Sequence, residues 1–212
     1  MKDMDTDKAV ENGKILFQSA ENLMQAALDL DALMESIWDL LAEETFLGGE
    51  MKDSSHADDN SGNDWITPIY SANGEVRGKG KGSPRLGTIT YVVRLCGKGS
   101  LLPPLPNWPW LEQASLFVGW HKLNDYWGPE DFEPSEADNL HHRGHGLWAY
   151  RDEKDRQDYG HFFALPLFSL RTENDLKRFI VTPLKTLFQA DDLEAVVKEA
   201  LREVPVLLPS SG

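Results

Sequence analysis

Residues 14–41, KILFQSAENLMQAALDLDALMESIWDLL, decide the fold at the N-terminal end of the chain. Leu16, Ala20, Leu23, Ala27, Leu30, Met34, Ile37 and Leu41 follow one another at alternating steps of four and three. That spacing keeps one apolar seam along one side of an α-helix, and no Gly or Pro interrupts it. Phe17, Met24, Leu33 and Trp38 widen the seam to a stripe broad enough to face a core. The periodicity predicts helix from Lys8 to Phe46, ended by Gly48-Gly49. Asp29 or Asp31 is a competent N-cap, so a helical hairpin is the alternative to one long helix.

Beyond this stretch the helical period stops. Residues 50–64, EMKDSSHADDNSGND, are polar and aperiodic and read as a flexible linker. The chain accordingly divides into an acidic helical segment, 1–49, that linker, and an α+β core, 65–212, most simply as one composite domain. Within the core the period becomes two. Ile89, Tyr91, Val93 and Leu95 alternate with Thr88, Thr90 and Arg94, as in a strand with two unlike faces. Trp65–Ser71, Ser115–Leu123, Gly146–Arg151 and His161–Ser169 also read as strands, with a turn at Ala72-Asn73-Gly74. Pro166 places the last of these at an edge or a bulge. Thr172 and Asp191 or Asp192 are N-caps of C-terminal helices, and Pro183 breaks or kinks the first of them. Strands that follow one another without intervening helices predict an antiparallel sheet. The expected fold is therefore α+β: four to six antiparallel strands, the N-terminal helix or hairpin, and two or three C-terminal helices packed on one face.

Charge is unevenly spread. The chain of 212 residues carries a formal net charge of −14. Residues 1–64 hold 16 Asp and Glu against 4 Lys and Arg, residues 65–107 hold 1 against 6, and residues 108–212 hold 18 against 11. A negative N-terminal third repels phosphate backbones, so no direct nucleic-acid binding is expected, and it attracts basic surfaces. No apolar run is long enough to cross a bilayer, and the N-terminus lacks the apolar core of a signal peptide. The single cysteine, Cys96, permits no internal disulfide. These features set the expected location as cytoplasmic.

Three sets of residues invite a chemical reading. Arg77, Lys79, Lys81 and Arg85 stand in a Gly-rich stretch, GEVRGKGKGS, that suggests an anion loop. Its spacing departs from the phosphate-loop pattern, and no helix follows to lend an N-terminus. His141, His142 and His145 form an HHxxH cluster of metal-ligating side chains, but two glycines interrupt it and no carboxylate stands between the histidines. Trp108 and Trp110 lie in a Pro-rich stretch and suit an exposed anchor for a partner. No nucleophile elbow, dinucleotide fingerprint or kinase signature occurs, and no cofactor is implied.

The leading expectation is an acidic protein-binding module of the inhibitor, immunity or antitoxin type. It would contact a basic protein through Glu35, Asp39 and Glu43 and through Trp108 and Trp110. A metal-dependent enzyme built on His141, His142 and His145 is one alternative. The other is a structural subunit that docks through the N-terminal helix, to a larger complex or to another copy.

Overall fold

The computed structural model describes residues 3–58, 69–95, 113–121, 140–151 and 158–208. Helix α1 runs unbroken over Asp3–Ala42, so the seam makes one helix and not a hairpin. Its strands are β1 (Thr45–Phe46), β2 (Gly49–Asp58), β3 (Ile69–Arg77), β4 (Arg85–Arg94), β5 (Ser115–His121), β6 (Leu140–Gly144), β7 (Leu147–Arg151) and β8 (Asp158–Pro166). They form one sheet in the order β1-β2-β3-β4-β5-β8-β7-β6, antiparallel throughout. A 3₁₀ turn, Leu167–Ser169, leads to α2 (Glu173–Leu176), a π-helical stretch (Lys177–Val181), α3 (Thr182–Gln189) and α4 (Leu193–Ala200).

The α+β class and the antiparallel sheet match the periodicity, but eight strands exceed the expected four to six. The largest departure is β2, which occupies the first nine residues of the expected linker. It pairs with β3 from Glu50↔Arg77 to Asp58↔Tyr70, with a bulge between Lys52 and Ser54. Only the two-residue β1 lies outside it, and a strand that near an edge is commonly polar. The expected turn at Ala72-Asn73-Gly74 is also absent, because β3 continues to Arg77. Gly74 has a packing reason to be in a strand: a Cβ there would crowd Met51 Cε of β2 and lie 2.7 Å from Trp38 Cζ3, so the glycine leaves space for the Met51 side chain and for the indole of α1. Pro166 is not on an edge strand. It is the last residue of β8, an interior strand between β5 and β7, and the ladder passes on through the Leu167 N–H to Ala114 C=O at 2.9 Å.

One face of the sheet packs against the helices. Ile89, Tyr91 and Val93 of β4 and Leu116, Val118 and Trp120 of β5 meet Leu30, Met34, Ile37 and Leu41 of α1 in one buried cluster. Leu184, Leu187 and Phe188 of α3 join it, with the Phe188 ring edge-on to Phe46 at 5.5 Å. The C-terminal caps form as their sequences dictate. Thr172 and Asp175 make a reciprocal capping box, and Asp192 accepts from the Glu194 and Ala195 N–H groups. Pro183 does not stop its helix. Thr182 N–H reaches back to Lys177 C=O, a π turn placed just before the residue that has no N–H to donate.

The opposite face is buried as well. Val92, Phe117, Trp148, Tyr150, Phe162 and Ala164 form a second apolar cluster there, joined by Leu207 from the C-terminal tail. Beside it lies a polar region. Thr90 donates to Asn73 Oδ1 at 2.6 Å, and Thr88 and His121 sit opposite each other on β4 and β5, all of them buried.

Candidate functional site

The C-terminal half of α1 crosses the sheet and is fixed to it at two levels. Apolar residues Leu30, Met34, Ile37 and Leu41 are buried beneath it. In addition the buried Tyr91 hydroxyl of β4 donates to the Met34 carbonyl at 3.0 Å. This anchoring sets which side of the helix faces solvent. Asp31, Glu35 and Asp39, at i, i+4 and i+8, fall on one line and are exposed. Trp38 lies next to that line and leans on Gly74. From the sheet, Tyr70 of β3 comes up on the other side.

Together these residues border a groove of about 440 Å³, floored by Met34 and lined by Asp31, Glu35, Trp38, Asp39 and Tyr70. No ion pair reaches the three carboxylates among the described residues. Carboxylates one helical turn apart repel one another, and a cation between them relieves that repulsion. The indole and phenol walls add favourable faces for a guanidinium or ammonium group. The field of this acidic line is felt inside the protein too. Burial raises the Tyr91 phenol above its ordinary value, and the charge of Asp39 adds to that rise.

The residues expected from sequence distribute unequally. Glu35 and Asp39 are in the groove. Glu43 is not: it stands toward the C-terminal helices, where its charge and that of Glu44 help hold the Lys177 ammonium above its usual range, behind the stronger contribution of Glu173. Trp108, Trp110 and Cys96 lie outside the described residues. Asp31, Trp38 and Tyr70 were missed. The 3–4 spacing does put Asp31 on the Glu35 line, but nothing local signals that Tyr70 arrives from a strand 31 residues after Asp39.

The basic loop is largely neutralised by its own neighbourhood. Arg77 binds Glu75 at 2.5 Å, Arg85 binds the same carboxylate at 3.4 Å, and Lys79 lies 3.7 Å from Glu50. Lys81 has no ion pair among the described residues. Three of the four cations are thus engaged with carboxylates.

The histidines do not converge. His141 and His142 are consecutive in β6 and project to opposite faces of the sheet. His142 packs against Trp148 at 5.0 Å and accepts from the Gly146 N–H at 3.3 Å. Partial desolvation of the ring lowers its imidazole pKa below the ordinary value, and the nearby His145 lowers it further. His145 sits in the β6–β7 turn at φ 52°, between Gly144 and Gly146. The carboxylates drawn to this hairpin, Asp158 and Glu194, are ion-paired to Arg143. Among the described residues no group of three His, Cys, Asp or Glu side chains is placed to hold a metal, and no helix is long and apolar enough to cross a membrane.

Compared with known proteins, the chain matches no family model, and neither a curated protein nor a solved structure matches it.

Proposed function

We propose that this chain is an acidic protein-binding module, of the inhibitor, immunity or antitoxin type, that engages a basic protein through the groove on α1. The observation that supports it is the pairing of three exposed carboxylates, with no ion pair among the described residues, and two aromatic walls in one groove. A basic side chain gains electrostatic attraction from the carboxylates and ring contact from Trp38 and Tyr70. The net charge of −14 steers such a partner from a distance, and the groove gives it a place to dock.

The test uses an oligoarginine peptide as the probe. The triple variant Asp31→Asn, Glu35→Gln, Asp39→Asn is compared with Asp191→Asn, Glu199→Gln, Glu203→Gln, which removes the same charge from exposed sites elsewhere. Exposed ion pairs contribute about 0.5 kcal/mol each, so the groove variant should bind about tenfold more weakly. The control should change by about threefold or less. Equal losses in the two variants would reduce the acidity to a diffuse field and remove the groove as a binding site.

A second reading, docking through the N-terminal helix, is favoured by a separate observation. Ile15, Leu16, Phe17, Leu23, Met24 and Leu28 are large apolar side chains left 46–72% exposed on the half of α1 that extends beyond the sheet.

A further inference from the structure

We infer that the projecting half of α1 pairs with the same segment of a second copy of this chain, antiparallel, about a two-fold axis between Glu21 and Asn22; this inference rests on the helix-docking reading and not on the groove.

The first argument is the alternation of size along the seam. Leu16 and Leu23 alternate with Ala20 and Ala27. In an antiparallel pair centred between residues 21 and 22, each residue i lies level with residue 43 − i of the other copy. Leu16 then faces Ala27, and Ala20 faces Leu23. Every layer of the seam sets a large side chain against a small one, so knobs fill holes at close helix spacing. A parallel, in-register pair would instead stack alanine on alanine and leucine on leucine, which leaves gaps in one layer and crowding in the next. Phe17 and Met24 flank the seam on one side. The two-fold axis brings Phe17 of one copy beside Met24 of the other at both ends of the contact.

The second argument is exposure: Leu16, Phe17, Leu23 and Met24, in and beside the seam, are left 46–72% exposed, and a second helix laid on the seam covers them together. The third is electrostatic. The sheet domains hang on the C-terminal ends of the two helices and each chain carries −14. Antiparallel pairing places the two acidic bodies at opposite ends, whereas parallel pairing sets them side by side. The contact stripe itself holds little charge, since Glu21 is the sole ionisable residue from Ile15 to Leu28.

The test is made on the full chain. Sedimentation equilibrium should show a dimer at micromolar concentration. The double variant Leu16→Glu, Leu23→Glu should weaken it at least a hundredfold, because each leucine moves from an apolar layer to a charge. Both residues are exposed in the single chain, so circular dichroism of the monomeric variant should still report the folded sheet and helix. Orientation is read by cysteine cross-linking in a Cys96→Ser background. Leu16→Cys chains mixed with Ala27→Cys chains should form a disulfide-linked pair. Leu16→Cys chains alone should not, since the two thiols would lie about 16 Å apart along the axis. Efficient cross-linking of Leu16→Cys to itself would overturn the antiparallel arrangement. A chain that is monomeric at 100 µM, or a dimer untouched by the double variant, would overturn self-pairing altogether. The helix-docking reading would outlive a monomeric chain if the double variant lost binding to some other purified protein. The groove reading is tested independently, because its assay compares variants at Asp31, Glu35 and Asp39 and leaves Leu16 and Leu23 unchanged.

Discussion

Replacing Tyr91 with Phe tests how α1 is held on the sheet, and the expected result changes sign with pH. At pH 7 the variant loses the hydrogen bond from the buried hydroxyl to the Met34 carbonyl and little else. That carbonyl sits mid-helix and keeps its helical N–H partner, so the loss should be near the lower range for a buried hydrogen bond, about 1 kcal/mol. Alkaline pH reverses the balance. In the folded chain, burial and then the charge of Asp39 hold the phenol well above its usual value. In the unfolded chain it ionises near pH 10. Above that pH the unfolded state binds fewer protons than the folded state, so wild-type stability falls as pH rises. The slope from this one group approaches about 1.4 kcal/mol per pH unit. The Phe variant lacks that contribution. The two proteins should therefore be equally stable near pH 11, and the variant the more stable beyond it. Urea unfolding followed by tryptophan fluorescence from pH 8 to 11.5 measures the difference directly. The other tyrosines are common to both chains and cancel. A stability difference that stays flat across that range would show that Tyr91 is not held neutral against Met34, and the account of how the groove is anchored would fail with it.

Gly74→Ala should cost about 1–3 kcal/mol, because its Cβ would crowd Met51 Cε and lie 2.7 Å from Trp38 Cζ3, so both side chains must shift. The same variant should weaken oligoarginine binding, whereas an equally destabilising core change remote from the groove should not; equal binding by the two would separate Trp38 from the site. His142 should titrate below the ordinary histidine value in an NMR pH series, since burial and then His145 disfavour its charged form. A lowered folded-state pKa means the unfolded chain takes up the proton first. His142 thus contributes stability above the unfolded value near 6.5 that is lost as pH falls, and His142→Phe should blunt the acid sensitivity.

How much of this was legible in the chain depends on whether the deciding contact is local. The seam from Leu16 to Leu41 specifies α1 because helical periodicity is written in neighbours three and four apart. The alternation from Thr88 to Leu95 specifies β4 in the same way. By contrast β2 is a run of polar residues whose strand conformation comes from its ladder with β3, and that ladder has no signature in the composition of either strand. Gly74 shows the same limit from the other side. Beside Asn73 it looks like a turn, and the arrival of Met51 from β2 and of Trp38, 36 residues earlier in the chain, gives a strand a reason to hold a glycine there. In the groove, the charges of Glu35 and Asp39 were readable and Tyr70 was not, because its place depends on the β2–β3–β4 register. The HHxxH spacing would bring His141 and His145 together only on a helix, whereas here His141 lies in β6 and His145 in the turn that follows it.

One helix carries both surfaces, and it divides them along its length. From Ile15 to Leu28 the single ionisable residue is Glu21, whereas from Asp29 to Glu44 there are six carboxylates and no basic residue. The same apolar seam runs through both stretches, so periodicity alone does not distinguish them. What differs is the sheet, which covers Leu30, Met34, Ile37 and Leu41 and leaves Leu16 and Leu23 open. The carboxylates follow the covered part, where the apolar side is already spent on the core and the outer side is free for charge. This separation has a measurable consequence. Groove binding is electrostatic and should weaken steeply as salt rises from 0.01 to 0.15 M, over which the screening length shortens from about 30 to about 8 Å. Pairing through the apolar stripe involves almost no charge and should hold or strengthen over the same range, as repulsion between the two −14 chains is screened. Opposite salt responses in one protein would place the two activities on the two halves of α1, and a shared response would merge them into one surface.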